Sequence, residues 1–194
     1  MLCKNKITLT IVSLCFLNSC QNKLDPMIII TTPLGEIKAE LYSKNAPVTV
    51  NNFLSYLNQD RYDEAHFYRV VHLKNQPENE IKIEVIQGGL GLENHPMRLK
   101  SIKHETTNNT GIKHKNGTLS MARLDPGTAS SEFFICINDQ PELDYGGKRN
   151  PDGQGFAAFG KVIEGLEIVK IIQNKKSNNQ ILNDIIPIKI DVKK

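Results

Sequence analysis

Five short stretches of this chain set a polar or basic side chain among apolar ones. They are HFYRVV at 66–71, EVIQGG at 84–89, NGTLSMAR at 116–123, SSEFFICI at 130–137 and GQGFAAFGKVIEG at 153–165. A guanidinium such as that of Arg69 keeps its charge and offers several donors in a rigid fork, which suits hydrogen-bond donation to a ligand. In SSEFFICI, an acid stands directly before two aromatics. With the period-two alternation of a strand, Glu132 and Phe134 share one face and Phe133 takes the other.

Other signals lead nowhere. GGLGLE at 88–93 lacks the third glycine of a dinucleotide fingerprint, and no crossover helix follows it. Asp144, Asn150 and Asp152 are not spaced like the ligands of a calcium loop, so that segment reads as a solvated turn region. His66, His72, His95, His104 and His114 show no paired spacing on one element, which argues against a metal site. Ser130 and Ser131 have no nucleophile-elbow glycines around them. Lys113-His114-Lys115 reads as a solvated loop.

The elements that carry these stretches are mostly strands. Residues 27–32 are β-branched and apolar, Pro33-Leu34-Gly35 supplies a turn, and residues 36–42 alternate polar and apolar, so together they read as a hairpin. Pro47 can open a helix whose apolar face is Val50, Phe53, Leu54 and Leu57. Strand-like runs recur at 66–71, 82–87, 117–122, 132–137 and 155–162, and a helix is expected around Leu166, Val169 and Ile172. Ile186, Ile188, Ile190 and Val192 then alternate with polar residues and Pro187. About eight strands and two helices argue for a barrel or a sandwich and against a parallel sheet.

The chain has 194 residues and a formal charge of +3. Lys4 and Lys6 precede an apolar run at 7–17, which is shorter than the roughly twenty residues a membrane helix needs and fits a secretory signal. It ends in Leu17-Asn18-Ser19-Cys20, which resembles the bacterial lipobox, although Asn18 is unusual there. The expected organisation is a lipoprotein signal peptide at 1–19, a tether at 20–26 beginning with a lipidated Cys20, and one domain at 27–194. Gln21 lacks the aspartate that retains some lipoproteins at the inner membrane, which points to a periplasm-facing anchor in the outer membrane. Without Lys4 and Lys6 the charge falls from +3 to +1, so nothing suggests nucleic acid. Cys136 would be the single thiol left in the domain, without an intramolecular disulfide framework.

In their order, the five stretches resemble the cyclophilins, the barrel-type peptidyl-prolyl cis/trans isomerases, over roughly residues 28–192. ELDYGGKRNPDGQGFAAFGKV at 142–162 resembles the bacterial branch in particular. The resemblance implies a mainly β fold, a closed eight-stranded antiparallel barrel capped by two α-helices, with a filled interior and the substrate groove outside. It implies Arg69 as the catalytic arginine and Gln87 as the residue that orients it and contacts substrate. Val85, Phe134 and Leu143 would form the floor for a proline ring, and the backbone at Ala122 and Arg123 would pair with the peptide main chain. Glu132 and Phe156 would flank the groove.

Some positions depart from the family pattern. Val85 replaces a usual methionine, Glu84 a common phenylalanine, Phe156 a frequent histidine and Glu142 a tryptophan found in some members. Arg123 replaces a frequent asparagine and Glu132 a glutamine, and these two opposite charges are expected to pair at the rim. The implied partners are proline-containing polypeptide clients, met by a monomer that needs no metal and no organic cofactor.

The implied chemistry breaks no bond. Amide resonance sets a rotation barrier of ~18–20 kcal/mol, and X-Pro bonds exchange in tens to hundreds of seconds. A fixed cation that donates to the prolyl nitrogen favours the twisted amide, whose lone pair is free, over the planar one.

Overall fold

The apolar run MIIITT forms β1 (Met27–Thr32) and the alternating GEIKAEL forms β2 (Gly35–Leu41), paired antiparallel from Met27↔Glu40 to Thr32↔Gly35. Ile28, Ile30, Ile37, Ala39 and Leu41 are buried, so each strand sends alternate residues inward as expected. The computed structural model describes residues 25–91 and 94–193. The expected signal peptide, most of the expected tether and Cys20 lie outside these residues.

After the hairpin come α1 (Pro47–Asn58), β3 (His66–Val71), β4 (Val85–Gly89), α2 (Thr107–Thr110), β5 (Thr118–Met121) and β6 (Phe133–Cys136). A 3-10 turn at Pro141–Leu143 leads to β7 (Ala157–Glu164), α3 (Leu166–Gln173), β8 (Ser177–Asn178), β9 (Ile181–Pro187) and β10 (Lys189–Lys193). Pro47 opens α1, and the preceding Ala46 has no side-chain acceptor to cap it. Glu105 does this instead: its carboxylate accepts from the amides of Val48 and Thr49 and from the Thr49 hydroxyl. Gly165 precedes α3 at φ 87°, a left-handed conformation, and a Cβ there would collide with the Glu36 carbonyl.

Ten strands form one antiparallel sheet in the order β10-β1-β2-β7-β5-β6-β4-β3-β9-β8. This corrects the expected closed eight-stranded barrel with two helices. The sheet is not closed by hydrogen bonds, because β10 and β8 end the order unpaired with each other. The physical reason lies at 187–188. Pro187 has no N–H to give a ladder, and the Ile188 N–H donates to Ala65 at 3.0 Å. The run expected as one last strand is therefore split, with β9 on β3 and β10 on β1. The extra helix, α2, has only four residues and no apolar period to announce it.

The interior is filled with side chains. Phe53 of α1 packs edge-on to Phe133 at 5.4 Å between ring centroids and against Phe159 at 5.2 Å. Ser130 and Ser131 are buried and fasten α1 to the sheet. Asn52 donates to the Ser130 carbonyl at 2.7 Å, and the Tyr56 and Ser130 hydroxyls lie 2.7 Å apart. Tyr62 donates to the Ser131 carbonyl at 2.7 Å. A separate, smaller apolar cluster of Val71, Ile83, Val85, Phe134, Cys136 and Leu143 covers the outside of the sheet. Thus Phe133 enters the interior and Phe134 the outer cluster, as the alternation predicts.

Replacing Phe133 with alanine empties the centre of the interior cluster. We expect Phe133→Ala to cost about 3–5 kcal/mol, read as a lower denaturation midpoint at unchanged slope.

Candidate active site

Strict alternation along HFYRVV would send Phe67 and Arg69 to the same side. The register of β3 shifts between them: Phe67 faces Gly88 of β4, while Arg69 faces Gln87. Tyr68 is the extra residue of this bulge. Phe67 and Val70 therefore enter the interior cluster and Val71 the outer one, while Tyr68 and Arg69 both go to the outer surface.

There Arg69 is held by two neutral amides. Its Nη1–H donates to Gln87 Oε1 at 2.7 Å, and its Nε–H donates to Gln180 Oε1 at 3.0 Å, with Nη2 donating to the same oxygen. Gln87 Nε2–H donates in turn to the Tyr68 hydroxyl. Burial lowers the Arg69 guanidinium from its ordinary value, partly offset by Tyr68 and aided by the nearby Arg149 cation. Arginine stays protonated nonetheless. Burial first, then the Glu132 carboxylate, push the Tyr68 phenol up, so it stays protonated as well. The result is a fixed cation whose partners do not cancel its charge.

Arg69, Val85, Gln87, Ala122, Arg123, Phe134, Leu143 and Phe156 all line one cavity of about 250 Å3, together with Ile83, Leu124, Arg149 and Asn150. Phe134 is its apolar floor, with Phe156 edge-on at 5.3 Å between centroids. Leu143 is placed by the 3-10 turn, and its carbonyl accepts from the Phe156 amide at 2.9 Å. Ile83 supplies apolar wall beside Glu84, whose carboxylate accepts from Asn138 Nδ2 at 2.9 Å. Glu132 lines an adjoining cavity of about 470 Å3, which shares Gln87, Ala122, Arg123 and Leu124 with the first.

The expected ion pair between Arg123 and Glu132 does not form. Arg123 turns the other way and grips Asp152 with both terminal nitrogens, at 2.8 and 2.9 Å, while its Nε–H donates to the Gly155 carbonyl. This holds the Asp152 carboxyl below its ordinary range. The Arg123 guanidinium also covers the Phe156 ring at 5.2 Å. Glu132 Oε1 accepts from the amides of Leu90 and Gly91 and from Ser131 Oγ. Each charge thus has nearer, better-placed partners on its own side of the groove.

His114 is a second correction, because it is only 1% exposed rather than solvated. Its Nδ1–H donates to Asp144 Oδ1 at 2.8 Å, and its Nε2 accepts from Ser120 Oγ at 2.9 Å. Its ring lies nearly parallel to Phe134, at 16° with 6.0 Å between centroids. Burial lowers the imidazole from its ordinary value and outweighs Asp144, which acts to raise it. For Asp144, burial acts upward, but the side-chain and backbone donors of His114 hold the carboxyl below its usual range. This Asp-His-Ser chain has the connectivity of a hydrolase triad, yet Ser120 is fully buried and reaches no substrate. Its role is to back the floor of the cavity.

Sequence reasoning missed Gln180, Tyr68, His114 with Asp144 and Ser120, and Arg149. Tyr68 adjoins Arg69, and a bulge was the only way both could face the same surface. Gln180 lies 111 residues from its partner, so no local pattern announces it. Among the described residues no group of three or more His, Cys, Asp or Glu is placed to hold a metal ion.

The domain is mainly β, with a fixed arginine beside an outer cavity floored by apolar side chains and rimmed by polar ones. The comparisons agree. Residues 27–192 match the family model described as cyclophilin type peptidyl-prolyl cis-trans isomerase/CLD. The chain belongs to this family. It is 34% identical over 162 residues to the peptidyl-prolyl cis-trans isomerase cyp18 of Streptomyces antibioticus, covering 82% of this chain and 90% of that one. It is 35% identical to a peptidyl-prolyl cis-trans isomerase of Acinetobacter baylyi, covering 83% and 79%. The crystal structure of a cyclophilin-type isomerase from Cryptosporidium parvum superposes with a TM-score of 0.68 at 26% identity, covering 88% of this chain and 98% of that one. That protein was also crystallised in the presence of the dipeptide Ala-Pro, and this structure superposes with a TM-score of 0.67 at 25% identity.

The His114 network has a pH signature. Folding holds its imidazole below the ordinary 6.5, so the unfolded chain takes up the proton first as pH falls. The stabilisation is complete above 6.5 and is lost between 6.5 and the depressed folded value. Asp144 adds a loss only at more acid pH, below its ordinary 3.8. In thermal melts, His114→Gln is expected to flatten the fall in Tm just below 6.5, leaving a residual slope from His104, which burial also lowers.

Proposed function

We propose that this chain accelerates cis/trans isomerisation of X-Pro bonds in polypeptides. One observation carries the reading: Arg69 is fixed by Gln87 and Gln180, both neutral, at a cavity floored by Phe134. A proline ring on that floor brings its nitrogen towards donors of the guanidinium. In the planar amide the nitrogen lone pair is delocalised and accepts poorly. In the twisted amide it is free, so the hydrogen bond strengthens only as the barrier is climbed. Neutral partners matter because a carboxylate on Arg69 would cancel the charge that does this work. Leu143 and Val85 help hold the ring, the backbone at Ala122 and Arg123 pairs with the substrate chain, and Glu132 and Phe156 bound the groove.

The setting is the cell envelope. Lys4 and Lys6, the apolar run at 7–17 and the lipobox-like Leu17-Asn18-Ser19-Cys20 support export and lipidation at Cys20. The isomerase unit at 27–194 then faces the periplasm on the tether at 20–26, at the outer membrane, and works as a monomer on exported clients during their folding. Cys20→Ala is expected to move the protein from the membrane fraction to the soluble one. Persistence in the membrane would rule out this anchor.

The activity is tested by NMR exchange on a blocked Ala-Pro-containing peptide, comparing the wild-type domain with Arg69→Ala. We expect the wild type to speed exchange and the variant to lose about 100-fold or more, the usual effect of removing one preorganised donor. Peptide binding without faster exchange in either protein would make the site a proline-peptide binding module.

A further inference from the structure

The cavity that holds Arg69 is lined by three guanidinium groups, those of Arg69, Arg123 and Arg149, and by no carboxylate. Their charges are not equivalent. The Arg123 side chain is 1% exposed and is cancelled by its two-pronged contact with Asp152. Arg69 has only glutamine partners. Arg149 is half-buried, and among the described residues its side chain donates only to the Ile81 carbonyl. Of the carboxylates on neighbouring segments, Glu84 accepts from Asn138 Nδ2 and Glu142 from the Lys148 amide, while Glu80 beside Ile81 is exposed. Arg149 is therefore a partly desolvated cation at a small cavity with an apolar floor, and among the described residues no carboxylate is bonded to it.

Such an arrangement favours an anion supplied by the ligand, because desolvated guanidinium donors bind carboxylates through charge-assisted hydrogen bonds. The position is defined too. Arg149 lines the proline cavity but not the adjoining one, whose wall includes Glu132 and Arg98. A chain that crosses Ala122 and Arg123 and seats its proline over Phe134 thus meets Arg149 at the end away from Glu132. Resting on the isomerase reading, we propose that Arg149 is a specificity residue that selects proline peptides with a side-chain carboxylate on a residue adjacent to the proline. Burial lowers Arg149 from its ordinary value, as it does Arg69.

The test compares kcat/KM for exchange, by NMR at low salt, on peptides blocked at both ends. One pair carries Asp or Asn just after the proline, and a second pair carries them just before it. The wild type is expected to favour Asp over Asn at least about fivefold in one pair, the scale of a single partly screened ion pair. The preference should shrink as salt rises, because the Debye length falls to about 8 Å at 0.15 M. In Arg149→Gln the Asp-to-Asn ratio should fall to near one, and Arg149→Lys should keep part of it. Equal rates on Asp and Asn in both wild-type pairs overturn the proposal, as does a preference that survives Arg149→Gln. The wild-type rate on the Asn peptides separates the two readings. If they exchange without any Asp preference, only the Arg149 proposal fails. If no peptide exchanges faster with protein than without, the isomerase reading fails as well.

Discussion

A filled interior leaves this fold only its outer surface for a ligand, and that constraint shapes the rest of the molecule. Close-packed apolar side chains occupy the inside, with Phe53, Phe133 and Phe159 at the centre. Each strand must give one of every two residues to that interior, so the groove is built from the alternate set. Val85 and Gln87 of β4, Phe134 of β6 and Ala122 just beyond β5 all belong to it. Arg69 alone is out of phase by simple alternation, and the bulge at Tyr68 corrects this. A single inserted residue thus turns Arg69 to the groove and returns Val70 to the interior, with Phe67 still inside.

Electrostatic differences between the groove arginines follow from their partners. A bidentate carboxylate turns Arg123 into a structural clasp between β5 and the loop that carries Asp152 and Gly155. Two glutamine carbonyls instead hold Arg69 in orientation while leaving its charge available. Geometry alone would rank the contacts of both arginines alike, as short and multiple. The charge on the acceptor separates a residue that braces the site from one whose charge stays available to a ligand.

Much of this was legible in the sequence, and what was not has identifiable causes. The hairpin, the α1 face and the opposite fates of Phe133 and Phe134 follow from periodicity, which is a local property. The groove positions of Arg69, Gln87 and Leu143 came from ordered motifs spread over most of the chain. Gln180 was invisible because its contact with Arg69 spans 111 residues. The split of the last strand was foreshadowed only by Pro187, and the apolar alternation running past that proline concealed it. Charge was the least legible property. Arg123 and Glu132 were paired on sign alone, whereas Asp152 and the amides of Leu90 and Gly91 lie nearer.

His114 shows why residue type alone misleads in such a site. Flanked by Lys113 and Lys115, it carries the sequence context of a surface residue, yet its ring is enclosed while both lysines point outward. Burial of a polar ring is tolerated only when both nitrogens find partners, and Asp144 and Ser120 provide them. The ring can then lie flat against Phe134 without leaving an unsatisfied donor. Asp144 belongs to the loop segment that begins just after Leu143, so the same hydrogen bonds tie that loop to the back of the cavity. The floor of the cavity is therefore an apolar face held flat by a polar network behind it. The face suits an apolar ring, and the network fixes the position of that face relative to the Arg69 guanidinium.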